Sequence, residues 1–419
     1  MAPQLTNWAG NIEFSAARLH RPASLDELAA VVTGSEQLRV LGTGHSFNRI
    51  ADTTGDLVSV ADLPTQIDVD PGASTVTVSA GTRYAELAAA TQGAGLALHN
   101  LGSLPHISVG GACSTGTHGS GSRNGILATA VRALELMTVD GELVTLRAGD
   151  PDFAGAVVSL GSLGVLTTLT LALEPAFDVQ QVVYDHVPHG ELAPVLDEVM
   201  DADYSVSAWT DWCDPLGWQL WRKRRVGADT WSPPASYVGG RQADAPRHPI
   251  WGVDPVHCTE QLGVPGPWNE RLPHFRREFT PSSGAELQSE FMVPREHGPA
   301  ALAAVAELRH LIAPVLQVGE LRTMAADGLW LSPAQGRDTL GIHFTWVLDP
   351  PAVAPVVAAL GEQLAPFGAR PHWGKVFAHT PESVSQLYDH WDDFAALLKR
   401  CDPAGRLRGD FVGSFFPIG

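Results

Sequence analysis

The sequence predicts an α+β fold with two domains, the second built on an antiparallel sheet that helices cover. In the first half, helical and strand patterns follow one another without the strict alternation of a doubly wound parallel sheet. Near Glu174 and Pro175 the composition changes, and residues 176–375 carry nearly all of the tryptophans. Three segments of this later region alternate apolar with polar residues, as half-buried strands do. A chain of 419 residues is also long for one domain, which supports a division near residue 175.

The first region contains the patterns of two helices and several strands. Ser24 and Glu27 stand at the two ends of a capping box, and Leu25, Leu28 and Val32 follow at helical spacing. The other predicted elements are strands at 38–41, 74–79 and 165–173, a helix at 84–90, and a hairpin at 131–146 that turns at Asp140-Gly141.

The later region combines three alternating strands with two helices rich in alanine and leucine. The predicted strands are 286–292, 318–324 and 340–346, and the predicted helices are about 298–312 and 351–365. Because one face of each strand is apolar, we expect the helices to cover that face. The polar face is then free to line a site.

Composition excludes several classes of function. The formal net charge of −19 argues against nucleic acid or anionic membranes as partners, because phosphate binding needs a cationic surface. The amino terminus has neither a basic start nor an apolar core, and no stretch approaches a membrane span, so we expect a cytoplasmic protein. Cys113, Cys213, Cys258 and Cys401 lie far apart without a CxxC pair, which predicts reduced thiols and no zinc ribbon.

Residues 99–121 form a glycine-dense polar segment that is predicted to wrap a large phosphate-bearing ligand. Its glycines allow close backbone approach or positive φ, and its hydroxyls stand beside exposed N–H groups. The residues concerned are Gly110, Gly111, Gly116, Gly119, Gly121, Ser103, Ser108, Ser114, Thr115 and Thr117. The segment contains no lysine and does not match GxGxxG, which argues against a nucleotide-binding P-loop.

A second candidate segment follows the strand at 38–41. Gly42 and Gly44 end this strand and again offer backbone amides to a phosphate. His45 comes next, and it either hydrogen-bonds the turn or acts on a ligand. His106 and His118 have the same two interpretations. No metal site is predicted, because these histidines lack both helical i, i+4 spacing and a nearby carboxylate.

Four functional groups of the later region are predicted to share one face. Period two places Glu320 with Arg322, and His343 with Thr345. Taken alone, Glu320 and Arg322 also fit an ordinary surface pair. Lys375 follows Gly374 and precedes an apolar run, which is an unusual setting for a solvated lysine, and its role stays open from the residues alone.

Three motifs resemble the vanillyl-alcohol-oxidase type of flavoprotein over essentially the whole chain. They are Gly42-Thr43-Gly44-His45-Ser46-Phe47, residues 104–119, and His372-Trp373-Gly374-Lys375, which resembles a signature shared by sugar-alcohol oxidases and aldonolactone oxidoreductases. The resemblance implies one FAD per chain, joined through its 8α-methyl to His45. It also implies a bipartite FAD-binding domain, 1–175 completed by about 376–419, with a cap domain at 176–375.

The resemblance also assigns residues to roles. For the cofactor it implies Leu41, Gly42, Thr43, Gly44, His45, Ser46, Phe47, Ser103, Ser108, Gly111, Thr115, Gly116, Thr117, His118 and Val165. For the substrate it implies Ser103, Glu320, Arg322, Thr345 and Lys375, with Arg322, Lys375 and His343 as catalytic residues. Either Lys375 or His343 is then the proton acceptor.

The expected reaction is oxidation of the terminal primary hydroxyl of sugar alcohols such as xylitol and sorbitol, with O₂ reduced to hydrogen peroxide. Gly102, beside Ser103, leaves room for oxygen and so favours an oxidase over a dehydrogenase. An aldonolactone oxidase or dehydrogenase is the alternative enzyme, and a non-catalytic sugar- or flavin-binding protein is the alternative of another class. Glu320 with Arg322 suits a linear polyol better than a ring. We expect the chain to act as a monomer.

Overall fold

The computed structural model describes residues 5–212, 217–227, 230–278 and 285–418. Its strands, in chain order, are β1 Arg18–His20, β2 Leu38–Val40, β3 Asp56–Val58, β4 Ile67–Asp70, β5 Thr75–Ser79, β6 Leu96–Ala97, β7 Val131–Met137, β8 Leu143–Arg147, β9 Val165–Ala172, β10 Glu174–Pro175, β11 Asp178–Val187, β12 Ser205–Thr210, β13 Trp218–Arg225, β14 Ser236–Tyr237, β15 Gly240–Gln242, β16 Gly266–Pro267, β17 Glu286–Pro294, β18 Leu316–Met324, β19 Thr339–Val347 and β20 Arg370–Pro371.

The α-helices are mostly short. In chain order they are α1 Leu25–Gly34, α2 Tyr84–Gly93, α3 Val109–Ser114, α4 Phe153–Val157, α5 His189–Leu192, α6 Leu196–Asp201, α7 Trp268–Arg271, α8 Gly298–Glu307, α9 Arg309–Ile312, α10 Pro350–Leu364, α11 Pro381–Ser385, α12 Trp391–Cys401 and α13 Gly409–Phe415. Among the residues described, no helix has the length and apolar character needed to cross a membrane.

Two sheets organise the first region. A parallel sheet has the order β1-β3-β2, and an antiparallel sheet has the order β4-β5-β9-β7-β8. The predicted strands, hairpin and helix of this region are all present, with bounds that differ by a few residues. The capping box is incomplete, because Glu27 accepts a hydrogen bond from the Ala23 amide and not from that of Ser24.

The later region is built on one large antiparallel sheet. Its order is β14-β15-β11-β13-β12-β18-β19-β17-β20, with β16 pairing to β11. One face is apolar, since Leu321 of β18 and Ile342 of β19 share a core with Leu302 of α8 and Leu360 of α10. The predicted sheet, covered by helices on one face, is therefore confirmed. The helix expected at 298–312 is divided in two at Leu308, which leaves the helical region with φ −89° and ψ 5°.

The carboxyl-terminal segment packs into the core of the first region. Leu398 of α12 and Val412 of α13 belong to the same hydrophobic cluster as Leu28 and Val78. The buried Arg39 side chain reinforces this assembly by donating hydrogen bonds to the carbonyls of several loops, including those of Leu407, Leu160 and Gly161. These guanidinium bonds replace the solvation that Arg39 loses on burial.

The segment 99–121 contains a short helix, α3, as well as irregular stretches. Gly110 and Gly111 lie inside α3, and only part of the glycine content provides positive φ, at Gly116 and Gly121. Gly119 packs against the protein, because a Cβ there would lie 2.4 Å from the Leu101 carbonyl oxygen. Close packing within the protein therefore accounts for some of the glycines assigned to a ligand.

The cysteines that the structure describes are free thiols. Cys113 and Cys258 are buried, and Cys401 is partly exposed. The expectation of reduced thiols is confirmed for these three, and Cys213 lies outside the described residues.

Candidate active site

A cavity of about 520 Å³ lies between the first region and the polar face of the large sheet. One wall comes from the segments after β2 and around α3, and the opposite wall comes from β17, β18, β19 and the segment after β20. The segments that the sequence singled out therefore meet at one place. Cavities of this size and composition are typical of cofactor and small-molecule sites.

Two glycines leave the first wall open. A Cβ on Gly42 would lie 2.7 Å from Ser108 Oγ, and one on Gly111 would lie 2.9 Å from the same oxygen. A side chain at either position would have to displace the Ser108 hydroxyl. Gly44 has a φ of +71°, which L side chains rarely adopt. The resulting bare backbone fits a large planar, phosphate-bearing group such as FAD.

His45 presents a neutral imidazole to this cavity. Its ring stacks on Trp8 with a centroid distance of 5.0 Å. Neither ring nitrogen has a well-formed hydrogen-bond partner among the described residues. Burial lowers the pKa of His45 to about 4, so the ring keeps an unprotonated nitrogen at neutral pH. A buried nitrogen of this kind is suited to form a covalent bond to a bound cofactor.

Strand register brings three titratable side chains into one row on the opposite wall. Glu320 of β18 pairs with His343 of β19, and His343 pairs with Glu290 of β17. Arg322 and Thr345 lie on the same face, because Arg322 follows Glu320 by two residues and Thr345 follows His343 by two. The face predicted for Glu320, Arg322, His343 and Thr345 is thus present in the structure, and Glu290 extends it.

Lys375 lies at the centre of this wall. Its Nζ is 2.5 Å from Glu290 Oε2 and 2.9 Å from His343 Nδ1. His343 Nε2 is in turn 3.1 Å from Thr345 Oγ1. Burial lowers the pKa of Lys375, and the negative charge of Glu290 opposes that change. Burial and the nearby Lys375 charge lower the pKa of His343 to about 3.

These contacts assign the tautomer of His343. An ammonium donates only, so the Lys375 contact requires an unprotonated Nδ1 on the neutral His343 ring. The ring proton is then on Nε2, where it is donated to Thr345 Oγ1. Two of the three Lys375 N–H groups are engaged with Glu290 and His343, which leaves one for a ligand in the cavity.

Arg322 joins the two carboxylates of the wall. Its Nε is 3.3 Å from Glu320 Oε2, and a terminal nitrogen is 3.4 Å from Glu290 Oε1. Burial raises the pKa of Glu320, and the Arg322 charge acts against that rise. Among the described residues, Glu320 Oε1 has no hydrogen-bond partner. This buried oxygen lies 3.8 Å from His274 Nε2 and keeps the capacity to accept a hydrogen bond.

His118, Glu290 and His372 have ligand atoms that all lie within 4.8 Å of one another. The expectation that no carboxylate stands near His118 is wrong, because Glu290 Oε1 is 3.2 Å from its Nε2. Lys375 and Arg322 already contact this carboxylate, and their two positive charges oppose a divalent cation there. We therefore assign no metal to this cluster.

Glu290 and His274 contact the site and are not among the residues expected from the sequence. Glu290 lies on the same face as Gln288 of β17, so the alternation used for β18 and β19 would have found it. His274 comes from an irregular segment and carried no signal. Its Nδ1 is 2.9 Å from Ser103 Oγ, and its ring packs against Trp209 and Trp221. This contact orients the Ser103 hydroxyl.

The cavity collects nearly all of the site residues expected from the sequence. Those lining it are Leu41, Gly42, Thr43, Gly44, His45, Ser46, Phe47, Ser103, Ser108, Gly111, Thr115, Thr117, His118, Glu320, Arg322, His343, Thr345 and Lys375. Gly116 and Val165 do not line it. A Cβ on Gly116 would meet Pro333, and Val165 is buried in the core.

Comparison with known proteins relates this arrangement to one family. A family model described as FAD binding domain matches residues 16–147, and one described as D-arabinono-1,4-lactone oxidase matches residues 285–415. Together these two segments supply most of both cavity walls. The first match shows that the chain contains an FAD-binding region, as the bare glycine wall suggests.

Relatives match over the full length. An alditol oxidase of Streptomyces sp. (strain IKD472) is 50% identical over 415 residues, which cover 98% of this chain and 99% of that protein. The L-gulono-1,4-lactone dehydrogenase of Mycobacterium tuberculosis is 31% identical, covering 98% and 99%. Cholesterol oxidase from Brevibacterium sterolicum has the same fold, with a TM-score of 0.79 over 99% and 96% of the two chains at 15% identity. The chain therefore belongs to the alditol oxidase family, within the vanillyl-alcohol-oxidase type of FAD-dependent oxidoreductases.

Proposed function

We propose that this enzyme oxidises the terminal primary hydroxyl of sugar alcohols and reduces O₂ to hydrogen peroxide. One observation carries the proposal: Lys375, His343 and the unpartnered Glu320 Oε1 share one wall of the cavity that His45 faces from the other side. The reacting hydroxyl and the remaining hydroxyls of a polyol thus have separate partners. The identity to the Streptomyces alditol oxidase supports the same substrate class.

FAD would be held by the wall that contains Gly42, Ser108, Gly111 and Thr117, with His45 as its covalent attachment point. When bound, FAD supplies the hydride acceptor for the alcohol carbon and the two electrons that O₂ receives. We assign the cofactor wall to a domain formed by 1–175 and about 376–419, and the opposite wall to a cap at 176–375. The cap then orients the substrate towards the cofactor.

Lys375 and His343 act as a coupled proton acceptor. Lys375 passes one of its protons to His343 Nδ1, and the lone pair that this frees on Nζ then takes up the hydroxyl proton. His343 then carries both ring protons, with Nε2 still donating to Thr345. Lys375 is an ammonium before and after this relay, and together with Arg322 it stabilises the developing alkoxide. The alcohol loses its hydroxyl proton to this pair, and loss of a hydride from the same carbon to bound FAD would give the aldehyde.

The hydroxyls beyond the reacting carbon bind to Glu320, Ser103 and Thr345. Glu320 Oε1 accepts a hydrogen bond, and the Arg322 charge keeps this buried carboxylate compensated. His274 fixes the direction of the Ser103 hydroxyl. A linear chain carries a hydroxyl on each carbon and can use several of these partners at once.

An aldonolactone is the second candidate substrate. The match of residues 285–415 to the lactone oxidase model favours it, as does the mycobacterial relative at 31% identity. A lactone ring presents fewer hydroxyls to Glu320, so the free carboxylate oxygen favours the polyol.

A substrate panel tests the proposed function. We expect hydrogen peroxide release in air with xylitol and sorbitol, and a lower kcat/KM with glycerol and with aldonolactones. The measurement is a peroxidase-coupled assay at several concentrations of each compound. Peroxide release with lactones alone would show that aldonolactones are the substrates. Binding of these compounds without turnover of any of them would contradict an oxidase function.

Covalent attachment at His45 has its own test. We expect acid precipitation of the purified enzyme to leave a yellow pellet, because the bond to the imidazole survives unfolding. His45→Ala should give a colourless pellet with FAD in the supernatant, whereas the control His106→Ala, outside the cavity lining, should keep the yellow pellet. A colourless wild-type pellet would contradict the covalent bond and leave FAD binding intact.

A further inference from the structure

Glu290 is a buried carboxylate that touches the catalytic groups without touching the cavity. Its side chain is 0% exposed, and it stands behind Lys375 and Arg322. Space for it depends on Gly341, where a Cβ would lie 2.9 Å from Glu290 Oε1. A substrate in the cavity therefore meets Lys375 and Arg322, and Glu290 acts on the reaction only through them.

We propose that Glu290 is a positioning residue that, together with His118, holds Lys375 in place as an ammonium for the proposed proton transfer. This inference rests on the function and mechanism proposed above. Glu290 Oε2 fixes the Lys375 Nζ at 2.5 Å, while Oε1 meets Arg322 and His118 at 3.4 and 3.2 Å. Both carboxylate oxygens are thus engaged, and Glu290 cannot rotate away from Lys375 without losing these contacts.

His118 closes the far side of the carboxylate. Its Nδ1 is 2.9 Å from the Gly119 carbonyl oxygen, which only accepts, so Nδ1 carries a proton. Its Nε2 faces Glu290 Oε1. An ionised carboxylate has no proton to donate, so this oxygen is also an acceptor. This contact is attractive only with a proton between the two atoms. Burial lowers the pKa of His118 and the Glu290 charge opposes that change; a proton on Nε2 is donated to Glu290 Oε1, on the side of the carboxylate away from Lys375.

The charges around Lys375 explain why it needs Glu290 in order to remain an ammonium. Burial and the neighbouring Arg322 charge both favour a neutral Lys375 amine, and Glu290 is the nearest negative charge that opposes them. A neutral Lys375 would lose its stabilising charge and could no longer pass a proton to His343 Nδ1. The other titratable groups around Glu290 are His118, His343, His372 and Glu320.

The test replaces Glu290 with glutamine and follows Lys375 directly. Lys223, Lys375 and Lys399 are the lysines of this chain, so ¹³C-lysine labelling of the FAD-loaded enzyme gives few Cε signals to assign. We expect the pKa of Lys375 in Glu290→Gln to fall by about one unit or more, the usual effect of removing a close opposite charge. This readout requires no substrate, so it stays informative even where the proposed function is wrong.

Kinetics provides the second readout. We expect kcat for xylitol at the wild-type pH optimum to fall roughly tenfold or more in Glu290→Gln, with a smaller change in KM. The loss should shrink as pH is lowered, because Lys375 becomes charged again below its new pKa. A purely structural defect would reduce activity equally at every pH.

Two further variants control for folding. Gly341→Ala keeps every charge but crowds Glu290 Oε1. We therefore expect the pKa of Lys375 to fall here too, by less than in Glu290→Gln. Asp203→Asn neutralises another buried carboxylate of the cap, paired with Arg222 and remote from the cavity, and should leave the Lys375 pKa and the pH profile unchanged. A Lys375 pKa unchanged in both Glu290→Gln and Gly341→Ala would overturn the proposal.

Discussion

Replacing Lys375 with alanine is expected to slow reduction of the flavin by roughly 10²-fold or more, the usual effect of losing one preorganised charge at a reacting oxygen. The variant removes both the proton carrier next to His343 Nδ1 and the positive charge that faces the developing alkoxide. It also leaves the buried Glu290 with Arg322 and His118 as its nearby partners.

Stopped-flow absorbance under anaerobic conditions measures this step at saturating xylitol. Lys399→Ala is the matched control, since Lys399 lies in the last turn of α12 and takes no part in the cavity. An unchanged rate of flavin reduction in Lys375→Ala would exclude the role assigned to this residue. Full rescue by Lys375→Arg is not expected, because a guanidinium does not release a proton to His343.

Glu320→Gln is expected to lower kcat/KM for five- and six-carbon alditols by roughly tenfold or more, and to affect a short diol less. The estimate follows from the strength of a hydrogen bond to a buried charge, about 1.5–3 kcal/mol. Glutamine keeps the shape of the side chain but removes the charge that Arg322 compensates. A short diol has fewer hydroxyls beyond the reacting carbon, so we expect it to depend less on Glu320.

Selectivity is measured as the ratio of kcat/KM between xylitol or sorbitol and the diol, in wild type and in Glu320→Gln. A fall in this ratio supports the assignment of the remote hydroxyls to Glu320. An equal fractional loss for all three compounds would show that Glu320 supports the pocket generally and does not select the polyol.

Regular strands made much of this site predictable from the sequence. In β18 and β19 a period of two separates Glu320, Arg322, His343 and Thr345 from the apolar face, and the structure places them on one wall. The same rule applied to β17 would have added Glu290. The alternation of residues along a strand does not tell how neighbouring strands are aligned. Glu290, His343 and Glu320 form a row only because Glu290 pairs with His343 and His343 pairs with Glu320.

Irregular segments were less predictable. His274 reaches Ser103 from a stretch without periodicity, so its place depends on tertiary packing alone. Within 99–121, glycine is not always a sign of ligand approach, since the neighbouring Leu101 carbonyl leaves no room for a side chain at Gly119. Local composition indicates that backbones come close together but does not tell whether the neighbour is a ligand or the protein itself.

Hydride transfer from a sugar alcohol to the flavin, followed by reduction of O₂, is the reaction proposed for this enzyme. A single-turnover experiment tests it most directly: the FAD-loaded enzyme is mixed anaerobically with xylitol, and air-saturated buffer is then added. We expect xylitol to remove the absorbance of the oxidised flavin, oxygen to restore it, and one hydrogen peroxide to form for each flavin reoxidised. Bleaching by an aldonolactone but not by xylitol, or reoxidation without peroxide, would contradict it.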